Sequence, residues 1–311
     1  MKALTGLVYK STGSWYIVYD EDGKQWNARI KGKLKIDKDI SSTNPIAVGD
    51  IVLFEEEAED GNIGTIKDIA ERRNYIVRVS PHNKNQKHIV AANLDAALVM
   101  ATIAEPRTSQ GFIDRFLITG EAYHIPCIIV INKIDLLKPK HQEQLAHWKA
   151  MYEGAGYEVY PISATHPETV AALAERLQGI TTLFSGHSGV GKSTLINQLI
   201  PGKELRTQEV SGYSGKGQHT TTFAEMFDMP GDGKIIDTPG VKEFGLIDIE
   251  KEELSQYFPE MRAVMQHCKF NNCLHINEPG CAVKEAVREG VIAEDRYVSY
   301  VMILDTIEKK W

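Results

Sequence analysis

The chain has 311 residues, of which 42% are hydrophobic and 25% charged. These values are ordinary for a globular protein, so they exclude collagen-like and wholly disordered chains, and the length favours two or three domains. The 42 acidic and 35 basic side chains leave a net charge of −7, which argues against a generally basic nucleic-acid coat protein but allows local basic patches.

The search for targeting signals and the number of cysteines bear on the cellular compartment of the protein. No apolar run reaches the roughly 18 residues of a membrane span, and the beginning of the chain lacks the apolar core of a secretion signal. Four cysteines are too few for a disulfide scaffold in a chain of this length. We therefore expect a cytoplasmic monomer that does not engage a membrane.

Residues 1–70 alternate strand-length segments with turn signals, a spacing typical of a small closed antiparallel barrel. In the predicted strand 29–36, the period of two places four basic side chains on one face: Arg29, Lys31, Lys33 and Lys35. Four aromatic residues lie nearby: Trp15, Tyr16, Tyr19 and Trp26. The basic face is either a solvated outer surface or part of an oligonucleotide-binding (OB-fold) barrel that binds RNA, and we adopt the second interpretation.

A second basic stretch opens the central domain, which we place at residues 71–248. Its basic residues are Arg72, Arg73, Arg78, Lys84 and Lys87. The polar segment 80–88 contains Pro81, so we expect a linker or mobile loop there. The following strands (94–103, 127–131, 159–162, 180–185) alternate with helices (111–124, 141–154, 167–177). This alternation predicts an α/β domain with helices on both faces of a parallel sheet.

Two motifs that end strands indicate the base. In Asn132-Lys133-Ile134-Asp135, the Asp135 carboxylate can accept guanine N1–H and N2–H, and Asn132 can bond the Hoogsteen edge. The stem of Lys133 can lie over the ring. Further along the chain, Ser163 and Ala164 end another strand, where the Ala164 N–H can bond guanine O6. Together these motifs favour GTP over ATP.

Residues 186–193 match the phosphate-loop pattern G-x-x-x-x-G-K-[ST], between a predicted strand and a predicted helix. Loop N–H groups surround the phosphates in this motif, while Lys192 neutralises β- and γ-phosphate charge and Ser193 holds Mg²⁺. A glycine-rich turn without a ligand is the alternative. The expected nucleotide contacts are Gly186, His187, Ser188, Gly189, Val190, Gly191, Lys192, Ser193 and Thr194.

Residues 237–240 form a D-x-x-G motif after a predicted strand. We expect Asp237 to reach Mg²⁺ through water and the Gly240 N–H to sense the γ-phosphate. The glycine-rich segment 211–222 precedes it, and either Thr220 or Thr221 is expected to supply a second hydroxyl to Mg²⁺. An ordinary flexible surface turn is the alternative for this segment.

Three cysteines and a histidine cluster near the C-terminus, within a predicted helical domain at residues 249–311. The pattern Cys268-x₄-Cys273-x-His275-x₅-Cys281 offers four ligands, which suits one closed, structural Zn²⁺ site. His267 is a substitute for the imidazole ligand. Three unrelated buried cysteines are the alternative. Tyr297, Tyr300, Val301 and Leu304 form a helical stripe that we interpret as core packing.

The order of the motifs is unusual. Ordinary small GTPases run phosphate loop, threonine switch, D-x-x-G, N-K-x-D, S-A, whereas here N-K-x-D and S-A come first. The chain thus resembles the circularly permuted GTPases. With a barrel before and a cysteine-rich unit after, it is similar to the ribosome small-subunit-dependent GTPase family, commonly called RsgA or YjeQ.

That resemblance implies a bacterial factor that binds the small ribosomal subunit and its rRNA late in assembly. It implies GTP hydrolysis stimulated by the ribosome, followed by departure of the protein, which is coupled to a check on maturation. The permutation also makes D-x-x-G the last sheet element of the central domain. We hypothesise that its movement passes to the C-terminal unit through residues 241–249.

The predicted catalytic set centres on His219. Val241 follows Gly240, where many GTPases carry the glutamine that orients water, so we expect slow intrinsic hydrolysis. His219 is our candidate for positioning water once rRNA orders the loop, although a histidine that only contacts RNA or packs is the alternative. The other members of the set are Lys192, Thr220, Thr221 and Gly240.

Two other functions stay open at the level of sequence. One is a nucleotide-gated RNA-binding module in which hydrolysis is incidental. The other is a GTPase that acts on a non-ribosomal protein, against which the barrel with its basic strand argues mildly. GTP turnover with and without small subunits separates these from the ribosomal role.

Overall fold

The structure is a computed structural model that describes residues 3–31, 45–57, 61–80, 83–205, 224–238 and 249–307. The strands in these ranges are β1 (Ala3–Ser11), β2 (Tyr16–Asp20), β3 (Gln25–Ile30), β4 (Ile51–Glu56), β5 (Ile63–Ile69), β6 (Tyr75–Ser80), β7 (Asn83–Ala92), β8 (Ala96–Thr102), β9 (Cys127–Asn132), β10 (Glu158–Pro161), β11 (Thr181–Gly186), β12 (Glu225–Met229) and β13 (Gly233–Asp237). The α-helices are α1 (Gln110–Ala122), α2 (Pro139–Gly154), α3 (Pro167–Arg176), α4 (Lys192–Leu199), α5 (Pro259–Arg262), α6 (Ala282–Arg288) and α7 (Glu294–Thr306). Among these helices, none combines the length and apolar character needed to span a bilayer.

The first five strands close into a barrel, which confirms the predicted fold. They pair in the order β1-β2-β3-β5-β4, and β1 also pairs with β4. Buried residues alternate with more exposed ones along β3 and β4, as expected for a closed barrel. Tyr16, Trp26 and Phe54 are buried in the barrel core. Two of the four aromatic residues noted in the sequence therefore stabilise the barrel instead of facing a ligand.

The predicted basic strand, 29–36, lies within the described residues only as far as residue 31. β3 ends at Ile30, and Lys33 and Lys35 lie outside the described residues. Arg29 and Lys31 both contact the Glu57 carboxylate, at 3.0 and 2.9 Å. Part of the predicted positive face is thus neutralised within the barrel.

The predicted loop at residues 80–88 is wrong. β6 and β7 pair antiparallel through this region and form a two-stranded sheet. A two-stranded ribbon buries little surface, so a polar sequence can form it without the apolar alternation that reveals other strands. Among residues 87–92 of β7, for which burial is described, those from Val90 to Ala92 are buried and the others are partly exposed.

The central domain is built on a mostly parallel sheet, as predicted. Its strand order is β10-β9-β8-β11-β13-β12, and β12 alone is antiparallel to its neighbour. Every residue of β8 and β9 is buried, because helices cover both faces. The helices begin at sequence signals: the Ser109 hydroxyl caps α1, and Pro139 and Pro167 occupy the first turns of α2 and α3.

The barrel is joined to the central sheet by strand pairing. β1 pairs antiparallel with β12 at Lys10 and Glu225, so one sheet runs from the barrel into the central domain. The turn at Gly49 packs against Ala92, where a Cβ would overlap the Ala92 carbonyl oxygen.

The C-terminal unit is mainly helical and packs on α1. Its core includes Phe258, Tyr300 and Leu304, so two residues of the predicted stripe are core residues. Arg296 of α7 is 1% exposed and binds Asp114 of α1 at 2.5 Å and Glu260 of α5 at 2.7 Å. The described contacts of this unit are made mainly with α1, and Asp295 of α7 also lies 2.7 Å from His147 of α2. The connection at residues 239–248 lies outside the described part of the chain.

Candidate nucleotide and metal sites

One edge of the central sheet collects the motifs that are scattered along the chain. β9, β10, β11 and β13 are parallel within a connected sheet, so their carboxyl ends lie at the same edge. N-K-x-D follows β9, S-A follows β10, the phosphate loop follows β11 and D-x-x-G begins at the end of β13. Shuffled chain order therefore still yields a single site.

Asn132 connects three of these motifs. Its Nδ2 donates to the Val190 carbonyl of the phosphate loop at 2.7 Å, and its Oδ1 accepts the Ala164 N–H at 2.9 Å. The side chain is buried, with 2% exposure. In the structure, the amide groups that we expected to meet guanine are thus used to hold the base motifs against the phosphate loop.

The rest of the base motif is more open. Lys133 has a left-handed backbone with φ of 64° and donates from Nζ to the Glu105 carbonyl at 2.7 Å. Asp135 is exposed, in a short 3₁₀ helix. The Ser163 hydroxyl contacts Thr165 and His166, and Ile134 N–H donates to the Ile162 carbonyl. The exposed Asp135 carboxylate is available to accept the two guanine N–H groups.

The phosphate loop has the backbone that its function requires. Gly191 lies directly before α4 with φ of 97°, and a Cβ there would overlap the Asn132 amide. Glycine is therefore required both for the turn and for the close approach. The His187 ring packs against Phe112 of α1, with centroids 3.7 Å apart. The helix that carries Asp114 thus also contacts the phosphate loop.

Lys192 and Asp237 form an ion pair at the carboxyl ends of β11 and β13. Their side chains are 14% and 15% exposed, and Lys192 Nζ also lies 3.3 Å from the Thr238 carbonyl oxygen. Thr238 donates from its hydroxyl to the Phe184 carbonyl at 3.0 Å, which fixes the end of β13. Carboxylate and hydroxyl oxygens are the donors that Mg²⁺ prefers, so Asp237 and nearby Ser193 fit that ion.

Four members of the predicted catalytic set lie outside the described residues: His219, Thr220, Thr221 and Gly240. Val241, the residue at the usual position of the water-orienting glutamine, also lies outside them. Lys192 is the one member of the predicted catalytic set within the described ranges, and it has the expected neighbour in Asp237.

The four predicted metal ligands come together. Their ligand atoms all lie within 4.8 Å of one another. Cys281 Sγ lies 4.0 Å from Cys268 Sγ and 3.3 Å from His275 Nδ1, and Cys268 Sγ lies 3.6 Å from His275 Nδ1. Tetrahedral Zn²⁺ with ordinary bond lengths gives ligand separations of roughly 3.4–3.8 Å, so the cluster fits such an ion. His267, the substitute considered above, is not part of this cluster of described residues.

Hydrogen bonds hold the loop that carries His275. The Glu278 carboxylate accepts the N–H groups of Leu274 and Ile276, both at 2.9 Å. Tyr297 and Tyr300 of α7 donate to the carbonyls of His275 and Leu274, at 2.6 and 2.9 Å. This support was not predicted, because nothing in the local sequence marks a glutamate or tyrosine as a partner of the loop. It orients the ligands, as in other metal sites.

Burial disfavours the thiolate forms of the cysteines in the cluster unless a cation lies beside them. It raises the pKa of the Cys273 thiol to about 12 and also raises the pKa of Cys281. Burial lowers the pKa of His275, which favours the neutral imidazole that binds metals. A divalent cation supplies the charge that makes buried thiolates stable. The donor set could therefore hold a metal ion.

Comparisons with known proteins agree with this geometry. The family model described as RsgA GTPase matches residues 69–247, and the RsgA N-terminal domain model matches residues 5–66. A relative from Bacteroides fragilis named "Small ribosomal subunit biogenesis GTPase RsgA" is 49% identical over 98% of this chain and 98% of its own length. A relative of the same name from Flavobacterium johnsoniae is 50% identical over 99% of this chain and 95% of its own.

Two solved structures have the same architecture over nearly their whole length. YjeQ from Thermotoga maritima is 31% identical, with a TM-score of 0.78 over 98% of both chains. YloQ, described as a circularly permuted GTPase, is 28% identical, with a TM-score of 0.75 over 100% of this chain and 98% of its own. With both family models matched in chain order and the permuted motifs gathered at one edge, the chain belongs to the RsgA family of GTPases.

Proposed function

We propose that this GTPase acts in the biogenesis of the small ribosomal subunit. It binds the subunit and its rRNA, hydrolyses GTP there under stimulation by the ribosome, and leaves when the subunit is mature. The observation that carries the proposal is the match of nearly the entire chain, barrel and metal cluster included, to relatives named for small-subunit biogenesis. The protein acts as a cytoplasmic monomer.

We assign one task to each unit. The barrel at residues 1–70 contacts rRNA, the domain at residues 71–248 binds and hydrolyses GTP, and the unit at residues 249–311 is stabilised by zinc. The RNA contact is supported by the closed OB-type barrel and by Arg29, whose guanidinium lies 5.1 Å from the ring centroid of half-exposed Trp15. Such paired basic and aromatic groups suit phosphates and bases.

Base recognition falls mainly to Asp135. Its exposed carboxylate accepts two N–H groups of guanine, and adenine offers no matching pair of donors. Asn132 supports it by tying the base motifs to the phosphate loop, and the Lys133 stem covers the ring. Ser163 and Ala164 complete this end of the pocket.

Phosphate binding falls to the loop before α4. Its N–H groups and Lys192 hold the phosphates, so Lys192 exchanges its Asp237 partner for phosphate oxygens when GTP binds. Asp237, Ser193 and Thr220 or Thr221 are the residues that would hold Mg²⁺, which neutralises phosphate charge when bound. Gly240 senses the γ-phosphate, and His219 positions the attacking water.

The decisive experiment is GTP turnover with and without purified small ribosomal subunits, at several salt concentrations. We expect subunits to raise turnover, and we expect salt to weaken the effect because phosphate contacts release counterions. Unstimulated turnover would favour action on a non-ribosomal protein. If a non-hydrolysable GTP analogue left release from the subunit unaffected, hydrolysis would be incidental and the protein an RNA-binding module.

Base recognition has its own test in Asp135→Asn. The new amide presents donors to guanine donors, so GTP affinity should fall about 100-fold while xanthosine triphosphate affinity rises. Competition binding with both nucleotides measures the change. Asp68→Asn, an exposed aspartate in the barrel, is the matched control. Unaltered GTP affinity in Asp135→Asn would disprove the assigned base pocket.

Metal analysis tests the zinc assignment. We expect one zinc per purified chain, and we expect its loss in Cys273→Ser because a hydroxyl replaces a buried thiolate ligand. Cys127→Ser is the control, since Cys127 is buried under α1 far along the chain from the cluster and should leave the zinc content at one. Equal metal content in all three proteins, or a different metal in the native protein, would contradict the assignment.

A further inference from the structure

A row of paired residues connects the barrel to the nucleotide site. Lys10 of β1 pairs with Glu225 of β12, and Glu225 pairs with Asp237 of β13. Asp237 in turn pairs with Phe184 of β11, two residues before the phosphate loop begins. Residues directly opposite each other in neighbouring strands place their side chains on the same face. Lys10, Glu225 and Asp237 therefore share one face of the continuous sheet.

Two carboxylates lie at the middle of this row, and each of them is paired with a lysine. Lys10 Nζ lies 2.9 Å from Glu225 Oε2, and Lys192 forms an ion pair with Asp237. The two carboxylates between these lysines face each other across β12 and β13, an arrangement that is unfavourable for like charges. Each carboxylate is thus neutralised by its own lysine, and the one on Glu225 comes from the barrel.

Nucleotide binding disturbs only one of the two pairs. When Lys192 turns to the phosphates, Asp237 loses its partner, while Glu225 keeps Lys10. The Lys10 and Glu225 side chains are 25% and 33% exposed, so solvent screens their charges only in part. The charge that the magnesium site experiences therefore depends on whether Lys10 is in place.

We propose that Lys10 and Glu225 are positioning residues of the nucleotide site, through which the barrel sets the Mg²⁺ affinity at Asp237. The proposal rests on the role assigned to Asp237 above. Lys10 cancels the negative charge of Glu225, and any shift of β1 against β12 restores that charge beside the Mg²⁺ ligand. The barrel thereby adjusts how tightly Mg²⁺ and the phosphates are held.

The same strand offers a control on the opposite face. The Tyr9 hydroxyl donates to Asp228 Oδ1 at 2.7 Å and accepts from Lys234 Nζ at 3.0 Å. Because Tyr9 is adjacent to Lys10 in β1, it faces the other side of the sheet. Tyr9→Phe weakens the same junction without changing charge beside Asp237.

The experiment measures the affinity of a fluorescent GDP analogue over a series of Mg²⁺ concentrations and in EDTA. Lys10→Met leaves Glu225 unpaired, so the Mg²⁺ midpoint should fall by about threefold to tenfold, and affinity in EDTA should weaken. Glu225→Gln leaves Lys10 unpaired and should move both quantities in the opposite direction. Three further variants should stay close to the native values. They are the double variant that combines Lys10→Met with Glu225→Gln, the single variant Lys10→Arg, and the single variant Tyr9→Phe.

Opposite shifts in the two single variants, cancelled in the double variant, would support the proposal. Shifts in the same direction, or none, would overturn it, since a purely structural role would weaken binding in both. Asp237→Asn tests the magnesium role of Asp237 independently of the Lys10–Glu225 pair. This variant should raise the Mg²⁺ midpoint whether residue 10 is the native lysine or methionine. If Asp237→Asn leaves the midpoint unchanged, the magnesium role of Asp237 fails and the proposal fails with it. Melting temperatures report whether each variant is folded.

Discussion

The barrel and the C-terminal unit are attached to the central domain by ion pairs that differ in their exposure to water. The barrel has two kinds of contact with the central domain: Arg72 binds the fully buried Asp50 at 2.7 Å, whereas the β1–β12 contact consists of strand pairing and an ion pair that water partly reaches, Lys10 with Glu225. The C-terminal unit is joined through Arg296, which is buried between Asp114 and Glu260. Burial alone would lower the pKa of Arg296, but the two carboxylates raise it, so the guanidinium stays charged.

The difference indicates which attachment can adjust. A partly exposed pair contributes little net free energy and can be exchanged for water at small cost. A buried charged group that loses its partner keeps the full cost of desolvation, so its geometry is held in one state. We infer that the β1–β12 contact transmits graded changes to the nucleotide site, whereas the C-terminal junction fixes the position of α1.

The largest effect should come from breaking the buried junction with Arg296→Met. Two carboxylates would remain buried without a cation, so the free energy of unfolding should fall by about 3–5 kcal/mol. Urea denaturation measures the loss. Arg288→Met is the matched control, because Arg288 pairs with Glu285 on the exposed surface of α6 and should contribute less than about 0.5 kcal/mol.

A triple change sharpens that test. Replacing Asp114 and Glu260 with Leu and Met in the Arg296→Met background removes the unpaired charges and should restore most of the lost stability. If Arg296→Met alone cost no more than Arg288→Met, the buried network would not hold the two units together.

At the barrel junction, Gly49→Ala should have an intermediate effect. The new Cβ would overlap the Ala92 carbonyl oxygen, and the φ of 91° is strained for alanine. We expect a loss of about 2–4 kcal/mol in unfolding free energy. Gly13→Ala is the matched control, since its φ is 90° and a Cβ there meets nothing within 4 Å. The difference between the two variants isolates the contact across the junction, and equal losses would contradict that contact.

The smallest expected effect is the loss of stability at low pH that comes from protonation of Glu57 in the barrel. Hydrogen bonds from Arg29, together with those from Thr65 and Lys31, lower the pKa of Glu57 from 4.5 to about 2. A lowered carboxyl pKa stabilises the fold fully above pH 4.5, and this contribution is lost as the pH falls toward about 2. NMR titration of the Glu57 carboxyl carbon measures the pKa directly. In Arg29→Met the pKa should move back toward 4.5, and no movement would exclude Arg29 as the cause.

Much of the nucleotide site could be predicted from the sequence, because each motif carries its own local signal. An apolar segment followed by a motif such as N-K-x-D predicts a buried strand and places the motif at its carboxyl end. The strands predicted in this way before N-K-x-D and before the phosphate loop are present as β9 and β11. The Cys₃His spacing likewise identified four residues that the fold brings together. The barrel was recognisable from strand-length alternating segments separated by regular turn signals.

The parts that could not be predicted depend on residues far apart in the chain. Asp114 and Arg296 are separated by 182 positions, and neither has a local pattern that marks it as buried. The pairing of Lys10 with Glu225 spans 215 positions and joins two units that look independent in sequence. The β6–β7 hairpin was missed for another reason, since its polar residues resemble a loop unless the pairing is known.

The position of β11 has a consequence for how the chain is made. This strand lies between β8 and β13, yet it follows β8 by some eighty residues of chain. While the ribosome synthesises the intervening helices, β8, which is fully buried in the folded protein, has β9 on one side and an open edge on the other. Open apolar edges are where nascent chains associate wrongly. The permuted order thus makes the strand before the phosphate loop the piece that covers the open edge of β8, so burial of β8 and placement of the phosphate loop at the edge of the sheet occur in the same step.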